Sequence, residues 1–134
     1  MTEFPLKIVT PDGLRFDGPA EELIVRSSTG DVAILARHVN FVTSLGMGQA
    51  VIVSTGQRRI AACIGGMLSV VDGHVTLLPS TFEWSDQIDV ERADASYRRA
   101  DAVLHDKNAS ETDLKLAEAR LRRALIRKSV ASSK

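Results

Sequence analysis

From the N-terminus to Trp84 the apolar residues come in short runs, several of them alternating with polar residues. Alternation at a period of two puts one face of a strand on a core and the other in water. The runs at residues 4–10, 14–16, 22–26, 32–35, 41–45, 50–54, 59–64, 67–71 and 74–78 are therefore predicted as strands. Turn chemistry fills the gaps. Pro11-Asp12-Gly13 joins a preset φ to a glycine that accepts positive φ. Asp17-Gly18-Pro19 predicts a second turn, and residues 27–31 a polar loop. Thr55-Gly56-Gln57 predicts a hairpin, and Asp72-Gly73, between β-branched runs, a stronger one. Gly65-Gly66 breaks its run; because no helix follows, close backbone packing or a bulge explains it better than a phosphate cradle. Turn signals recur roughly every 8–12 residues with no helical pattern between them, which predicts an antiparallel β-sandwich or barrel.

The pattern changes between Glu83 and Ala93. Beyond it there is no Gly and no Pro, and the apolar period rises from about two to about 3.6. Ser85 or Asp86 is expected to cap the new helix, with Asp89 and Glu91 near the positive end of its dipole. Ala93, Tyr97, Ala100 and Leu104 form one helical stripe; residues 105–109 interrupt it. Ser110, with Asp113 at the capping-box position, opens a second helix, whose stripe is Leu114, Ala117, Leu121 and Ala124. Two amphipathic helices with a short link pack most simply as an antiparallel hairpin. Its alanine-rich stripe buries little area, so the hairpin is expected to be marginally stable by itself. The predicted organisation is a β-sandwich domain over residues 1–84 and an α-helical hairpin domain over residues 85–134.

Composition sharpens this only locally. The 134 residues carry no net charge, which removes any global drive toward nucleic acid or an anionic membrane. The halves differ, however: residues 1–84 hold 8 acids and 6 bases, and residues 85–134 hold 9 acids and 11 bases. From Arg120 onward there are Arg120, Arg122, Arg123, Arg127, Lys128 and Lys134 and no acid, a segment that favours an acidic partner. The single cysteine, Cys63, lies in an apolar run and is expected to be a buried small hydrophobe in a reducing compartment. No apolar stretch approaches the roughly 20 residues of a membrane-spanning helix, and the N-terminus has no apolar signal core.

Catalytic chemistry is not indicated. His38, His74 and His105 are scattered without metal-ligand spacing, so no metal is expected. There is no P-loop, and nothing gathers Ser or Asp around a base. Bases are not interleaved with aromatics in the β-domain, which argues against nucleic acid.

Taken in order, the motifs resemble the epsilon subunit of the F-type ATP synthase, called delta in mitochondria. Residues 4–12, Phe-Pro-Leu-Lys-Ile-Val-Thr-Pro-Asp, are similar to that family's opening strand. Residues 30–38, Gly-Asp-Val-Ala-Ile-Leu-Ala-Arg-His, resemble its Gly-acidic-x-x-Ile-Leu-x-x-His segment. Residues 64–70, Ile-Gly-Gly-Met-Leu-Ser-Val, resemble its Gly-Gly strand, and residues 74–78 the next. Residues 88–93, Ile-Asp-Val-Glu-Arg-Ala, match its Ile/Leu-Asp-x-x-Arg-Ala. Each motif is weak alone; together, in order and at the right spacing, they cover nearly the whole chain.

The resemblance implies a non-catalytic rotor subunit with no cofactor of its own, peripheral to a membrane; first residues that lack Arg and include Glu3 favour the cytoplasmic face of a bacterial membrane over a mitochondrion. Its sandwich would link the gamma subunit to the c-ring, and its hairpin would fold down or extend to block ATP hydrolysis by the alpha/beta hexamer. By position, Thr29, Gly30 and Asp31 would approach the c-ring and His38 would lie toward gamma. Arg120, Arg122, Arg123 and Arg127 would meet acidic loops of the catalytic subunits. Read without the family, His38 is equally a surface or core histidine, and the arginines an ordinary solvated face. Some bacterial members bind ATP as a regulatory ligand at the junction. Glu83, Asp89, Arg92 and Arg122 match that pattern, whereas its fourth position, an arginine, is Ile126 here. The alternative function, from another class, is a free-standing adaptor or nucleotide sensor that binds partners through its cationic hairpin.

Overall fold

The computed structural model describes residues 2–133, so Lys134 of the cationic tail lies outside the described residues. Eight strands precede two helices: β1 Phe4–Thr10, β2 Gly13–Ala20, β3 Glu22–Ser27, β4 Gly30–Leu35, β5 Phe41–Ser44, β6 Met47–Ser54, β7 Gln57–Val71, β8 His74–Trp84, α1 Val90–Leu104 and α2 Glu111–Ser132. The chain forms two compact units, which divide between Trp84 and Ser85.

The first unit is a β-sandwich whose strands follow the path β2-β1-β8-β7-β6-β3-β4, with β5 paired to β7. Thr55-Gly56 and Asp72-Gly73 make the two tight hairpins. All four residues have positive φ, between 49° and 80°, the requirement of the two-residue turn that matches strand twist. β1 departs from the antiparallel expectation, running parallel to β8 through Leu6↔Val75 and Ile8↔Leu77. These strands are distant in sequence, so no hairpin constrains their direction.

Two breaks read from the sequence are not breaks. Asp17-Gly18-Pro19 lies inside β2, where Pro19 sits opposite Pro5. β2 is an edge strand, so a missing N–H costs no ladder bond on its open side. Gly65-Gly66 lies inside the 15-residue β7. The register to β8 is unchanged across it, with Ile64↔Thr81 on one side and Gly66↔Pro79 on the other; it is a close approach and not a bulge. A Cβ on Gly66 would collide with the Leu78 carbonyl and lie 2.7 Å from the Pro79 Cα.

At the glycine pair the core-facing positions of β7 shift by one residue. Ala61 and Cys63 face the core before it, Leu68 and Val70 after it. β8 switches at the same level, from Phe82 and Trp84 to Leu77 and Val75. The β5–β6 strand switches between Leu45 and Ala50, where Leu45 N–H donates to Gly66 O at 2.8 Å and Gly65 N–H to Gly46 O at 3.0 Å. Three neighbouring strands change face together, helped by φ of +67° and +104° at the two glycines. The core they enclose includes Leu6, Ile8, Leu23, Val25, Ile34, Ile52, Leu68, Val70 and Leu77, all essentially inaccessible. Trp84 closes one end, edge-on to Phe82 with ring centres 4.9 Å apart, and the Arg59 guanidinium lies 3.6 Å over its ring.

In the second unit, Ser85–Gln87 is a short 3-10 turn. The cap of α1 is Asp89, not Ser85 or Asp86: its Oδ1 accepts the Arg92 backbone N–H at 3.1 Å. The expected capping box opens α2, where Ser110 Oγ accepts the Asp113 N–H and the Asp113 carboxylate accepts the Ser110 N–H. Ala93 and Ala100 of α1, and Ala117 and Ala124 of α2, are buried. The helices pack antiparallel, since Lys128 near the end of α2 bonds Asp94 near the start of α1 at 3.0 Å.

Candidate interaction surfaces

The tip between β3 and β4 carries the Thr29, Gly30 and Asp31 expected to face the c-ring. Ser27, buried, organises it from below. Its hydroxyl donates to Gly30 O at 2.6 Å and accepts the Thr29 N–H at 3.2 Å. The tip is also tied to β5: Ser28 N–H donates to Ser44 O at 3.1 Å, and the Ser44 hydroxyl donates to that of Ser28 at 2.9 Å. Gly30 has φ +136°, so its backbone suits no other residue. Thr29 and Asp31 are exposed. Asp31 pairs across the ladder with Arg26, Oδ1 to Nε at 3.0 Å. Arg26 lies over glycines: a Cβ on Gly48 would come within 2.6 Å of the Arg26 Cβ. The tip is thus a stiff polar projection formed before any partner arrives.

His38 follows β4 and is half-buried. Its Nδ1 lies 2.8 Å from Val39 O, and its ring centre 5.8 Å from that of Phe41. Sequence reasoning missed its neighbourhood. On the outer face of β5, β7 and β8, register places Met67 between Ser44 and Leu78, and Ser69 between Val42 and Thr76. Val42 is 58% exposed, Met67 49%, Val71 49% and Leu78 46%, and Val39 beside His38 is more exposed still. The signal was present: Phe41-Val42, Met67-Leu68, Val70-Val71 and Leu77-Leu78 are doubled apolar pairs. A strand needs only every second position apolar to fill a core, so the second member implies a second covered face.

On α2, Arg120 and Arg123 are exposed and Arg127 half-buried. At about 100° per residue these three fall within an arc of about 60°, whereas Arg122 lies about 100° or more from each of them. The four arginines are two surfaces and not one stripe. Of the candidate ATP residues, Glu83 ends the sandwich, half-buried, whereas Asp89, Arg92 and Arg122 belong to the helical unit, all exposed. Asp89 is occupied in capping α1 and meets Arg92 through its backbone rather than its guanidinium. No group of three or more His, Cys, Asp or Glu able to hold a metal occurs among the described residues. No helix among them is long and apolar enough to cross a membrane. Burial pushes the Cys63 thiol up to about 12, which keeps it out of nucleophilic chemistry.

Two family models match the chain in succession. The ATP synthase delta/epsilon chain beta-sandwich domain covers residues 3–85, and the ATP synthase delta/epsilon chain long alpha-helix domain covers residues 86–132. The chain is 42% identical over 135 residues to an ATP synthase epsilon chain from Ruminococcus albus, covering all of both chains. It is 38% identical over 133 residues to one from Bacillus velezensis, covering 99% of this chain and 100% of that one. Its fold is shared by a chain of the Euglena gracilis mitochondrial ATP synthase, at a TM-score of 0.84 and 20% identity over 96% of this chain and 81% of that one. It is also similar to a chain in the central stalk and c-ring structure of the Tetrahymena thermophila mitochondrial ATP synthase, at a TM-score of 0.63 and 12% identity over 98% of each chain. Epsilon chains are non-catalytic subunits of their complex, and by both domain matches and full-length identity this chain belongs to the ATP synthase delta/epsilon family.

Proposed function

We propose that this epsilon-type chain is a rotor subunit that joins the gamma subunit to the c-ring, on the cytoplasmic face of a bacterial membrane. The observation that carries the reading is the apolar outer wall of Val42, Met67, Val71 and Leu78. A sandwich does not need exposed apolar side chains on its outer face unless something covers them, and a face that sets Val42, Met67, Val71 and Leu78 among Ser44, Ser69 and Thr76 suits a protein partner. Gamma is the partner assigned to this wall, with His38 at its margin. The tip at Thr29, Gly30 and Asp31 is assigned to the c-ring: it is polar, stiff and held by its own hydrogen bonds, as suits a contact that must transmit torque without yielding.

The hairpin is assigned to control of ATP hydrolysis by the alpha/beta hexamer. Arg120, Arg123 and Arg127 on one face of α2 would meet acidic loops there, with Arg122 as an outlying contact. Several cations entering a confined interface steer and hold a segment even where single exposed pairs contribute little. ATP is proposed as a weak regulatory ligand of Glu83, Asp89, Arg92 and Arg122. With Ile126 in place of a second helix arginine, the site has one phosphate donor fewer than the full pattern.

The test is hydrolysis by the matching complex stripped of this subunit, with either the full chain or a version ending at Gln87 added back. Both are expected to bind gamma, and only the full chain to slow hydrolysis. If both bind and neither inhibits, the chain is a coupling clamp without an inhibitory arm. If neither binds, the rotor reading falls and the free-standing adaptor replaces it. For ATP, calorimetry on the full chain is expected to show one bound nucleotide, weakened by Arg92→Ala; absence of heat at millimolar ATP removes the site.

A further inference from the structure

Arg26 on β3 stands directly opposite Asp31 on β4, and opposite residues of paired strands point to the same face. The Arg26 side chain is confined. Its own carbonyl accepts the Gly46 N–H at 2.9 Å, and the Gly46 carbonyl accepts the Gly65 N–H at 3.0 Å. The backbone at Arg26 is thereby tied to the level where three strands change face. From there the aliphatic stem crosses bare glycine backbone. A Cβ on Gly48 would lie 3.2 Å from the Arg26 Cγ, and one on Gly46 3.4 Å from it. The stem in this lane brings Nε to Asp31 Oδ1 at 3.0 Å. Among the described residues nothing else holds the Asp31 side chain, which is 64% exposed and keeps Oδ2 without a partner. The remaining ties at the tip, from Ser27 to Gly30 O and the Thr29 N–H, act on backbone. An exposed aspartate without such a lateral tie samples several rotamers. One that is held keeps its free oxygen aimed, and less ordering is left for the moment of binding.

We propose that Arg26 is a positioning residue of the tip: through Nε it holds the Asp31 carboxylate in the orientation that docks on the c-ring, and it acts on docking through Asp31 alone. This rests on the assignment of the tip to the c-ring made above. Both partners are largely exposed, at 52% for Arg26 and 64% for Asp31, so the pair contributes little to folding. Its effect falls on the geometry of the tip. Gly48 belongs to the same device, because a side chain there would occupy the lane in which the Arg26 stem runs.

Two measurements test it. The first needs no partner. In the full chain, the χ1 couplings of Asp31 read by NMR are expected to report one rotamer in the wild type and averaging in Arg26→Gln, with the unfolding transition at Trp84 unchanged. A single Asp31 rotamer in Arg26→Gln overturns the positioning role. The second is docking. The stripped catalytic complex is loaded with wild type, Arg26→Gln, Asp31→Asn or the double variant, and equal loading onto gamma is checked. Each loaded complex is titrated onto membranes that carry the c-ring but have lost their own catalytic complex, and the half-saturating concentration is read. Arg26→Gln is expected to raise it about two- to fivefold, the range for an exposed ion pair, and Asp31→Asn at least as much. The double variant is expected to dock no more weakly than Asp31→Asn, because one interaction is removed in each. Wild-type docking by Arg26→Gln beside weak docking by Asp31→Asn overturns the positioning role alone, as do effects that multiply in the double variant. Wild-type docking by Asp31→Asn overturns the assignment of the tip to the c-ring, and the role of Arg26 with it.

Discussion

At the scale of single residues, the strongest constraint falls on Gly66. Its φ of +104° and the Leu78 carbonyl directly against it leave no place for a side chain. Gly66→Ala is expected to destabilise the sandwich by about 2–4 kcal/mol, measured by denaturant unfolding monitored at Trp84. Cys63 is expected to react with thiol reagents at pH 8 only after unfolding, because burial holds its thiol near 12. Asp94 carries a pH signature. The hydrogen bond from Lys128 outweighs the opposing effect of burial and, with added help from the charges of Arg98 and Lys128, holds its carboxyl below the usual aspartate range. A lowered folded value means that the stabilisation is fully present above the unfolded value of about 3.9 and is lost as pH falls through the folded one. The protection of hairpin amides, taken relative to the intrinsic exchange rate at each pH, is therefore expected to be flat across neutral pH and to fall only in acid, and Asp94→Asn is expected to reduce that fall. Of these residues Cys63 was legible from its apolar run. Gly66 was legible as an oddity but not as a point where three strands change face, because its partners Leu78 and Leu45 come from distant parts of the chain.

At the scale of elements, local signals were read well where the deciding groups lie within four residues. The capping box of Ser110 and Asp113 is such a case, and Ser110→Ala is expected to cost about 1 kcal/mol of hairpin stability, measured by thermal unfolding at the helical band. The start of α1 was placed too early because Ser85, Asp86 and Asp89 are all competent caps. The choice went to Asp89 because Ser85–Gln87 takes up a separate 3-10 turn before it. β2 was cut short at Gly18-Pro19 for a related reason. Local propensity disfavours a strand there, and only the position of β2 at the sheet edge makes the proline harmless. The outer wall was missed altogether: alternation was used to find one apolar face, whereas Met67-Leu68 and Leu77-Leu78 have two.

At the scale of the whole molecule, two units with separate cores predict separable behaviour. A chain ending at Gln87 keeps the whole core cluster from Phe4 to Trp84. It is expected to unfold cooperatively with the Trp84 signal of the full chain. A transition that broadens or is lost on truncation would show that the sandwich borrows stability from the hairpin. The hairpin's seam is built largely on the small residues Ala93, Ala100, Ala117 and Ala124, which bury little apolar area, so its amides are expected to exchange before those of the sandwich core.

The sequence by itself determined the kinds of element and their order, the change from strands to helices near Trp84, the two positive-φ hairpins and the α2 cap. These depend on periodicity and on groups a few residues apart, which the order of residues states directly. The tertiary structure alone decided the parallel β1–β8 pairing, the shared change of face at Gly65-Gly66, the outer apolar wall and the contact of Lys128 with Asp94 across 34 positions. Each of these depends on which distant segments become neighbours, and that is set by the packing of the whole core.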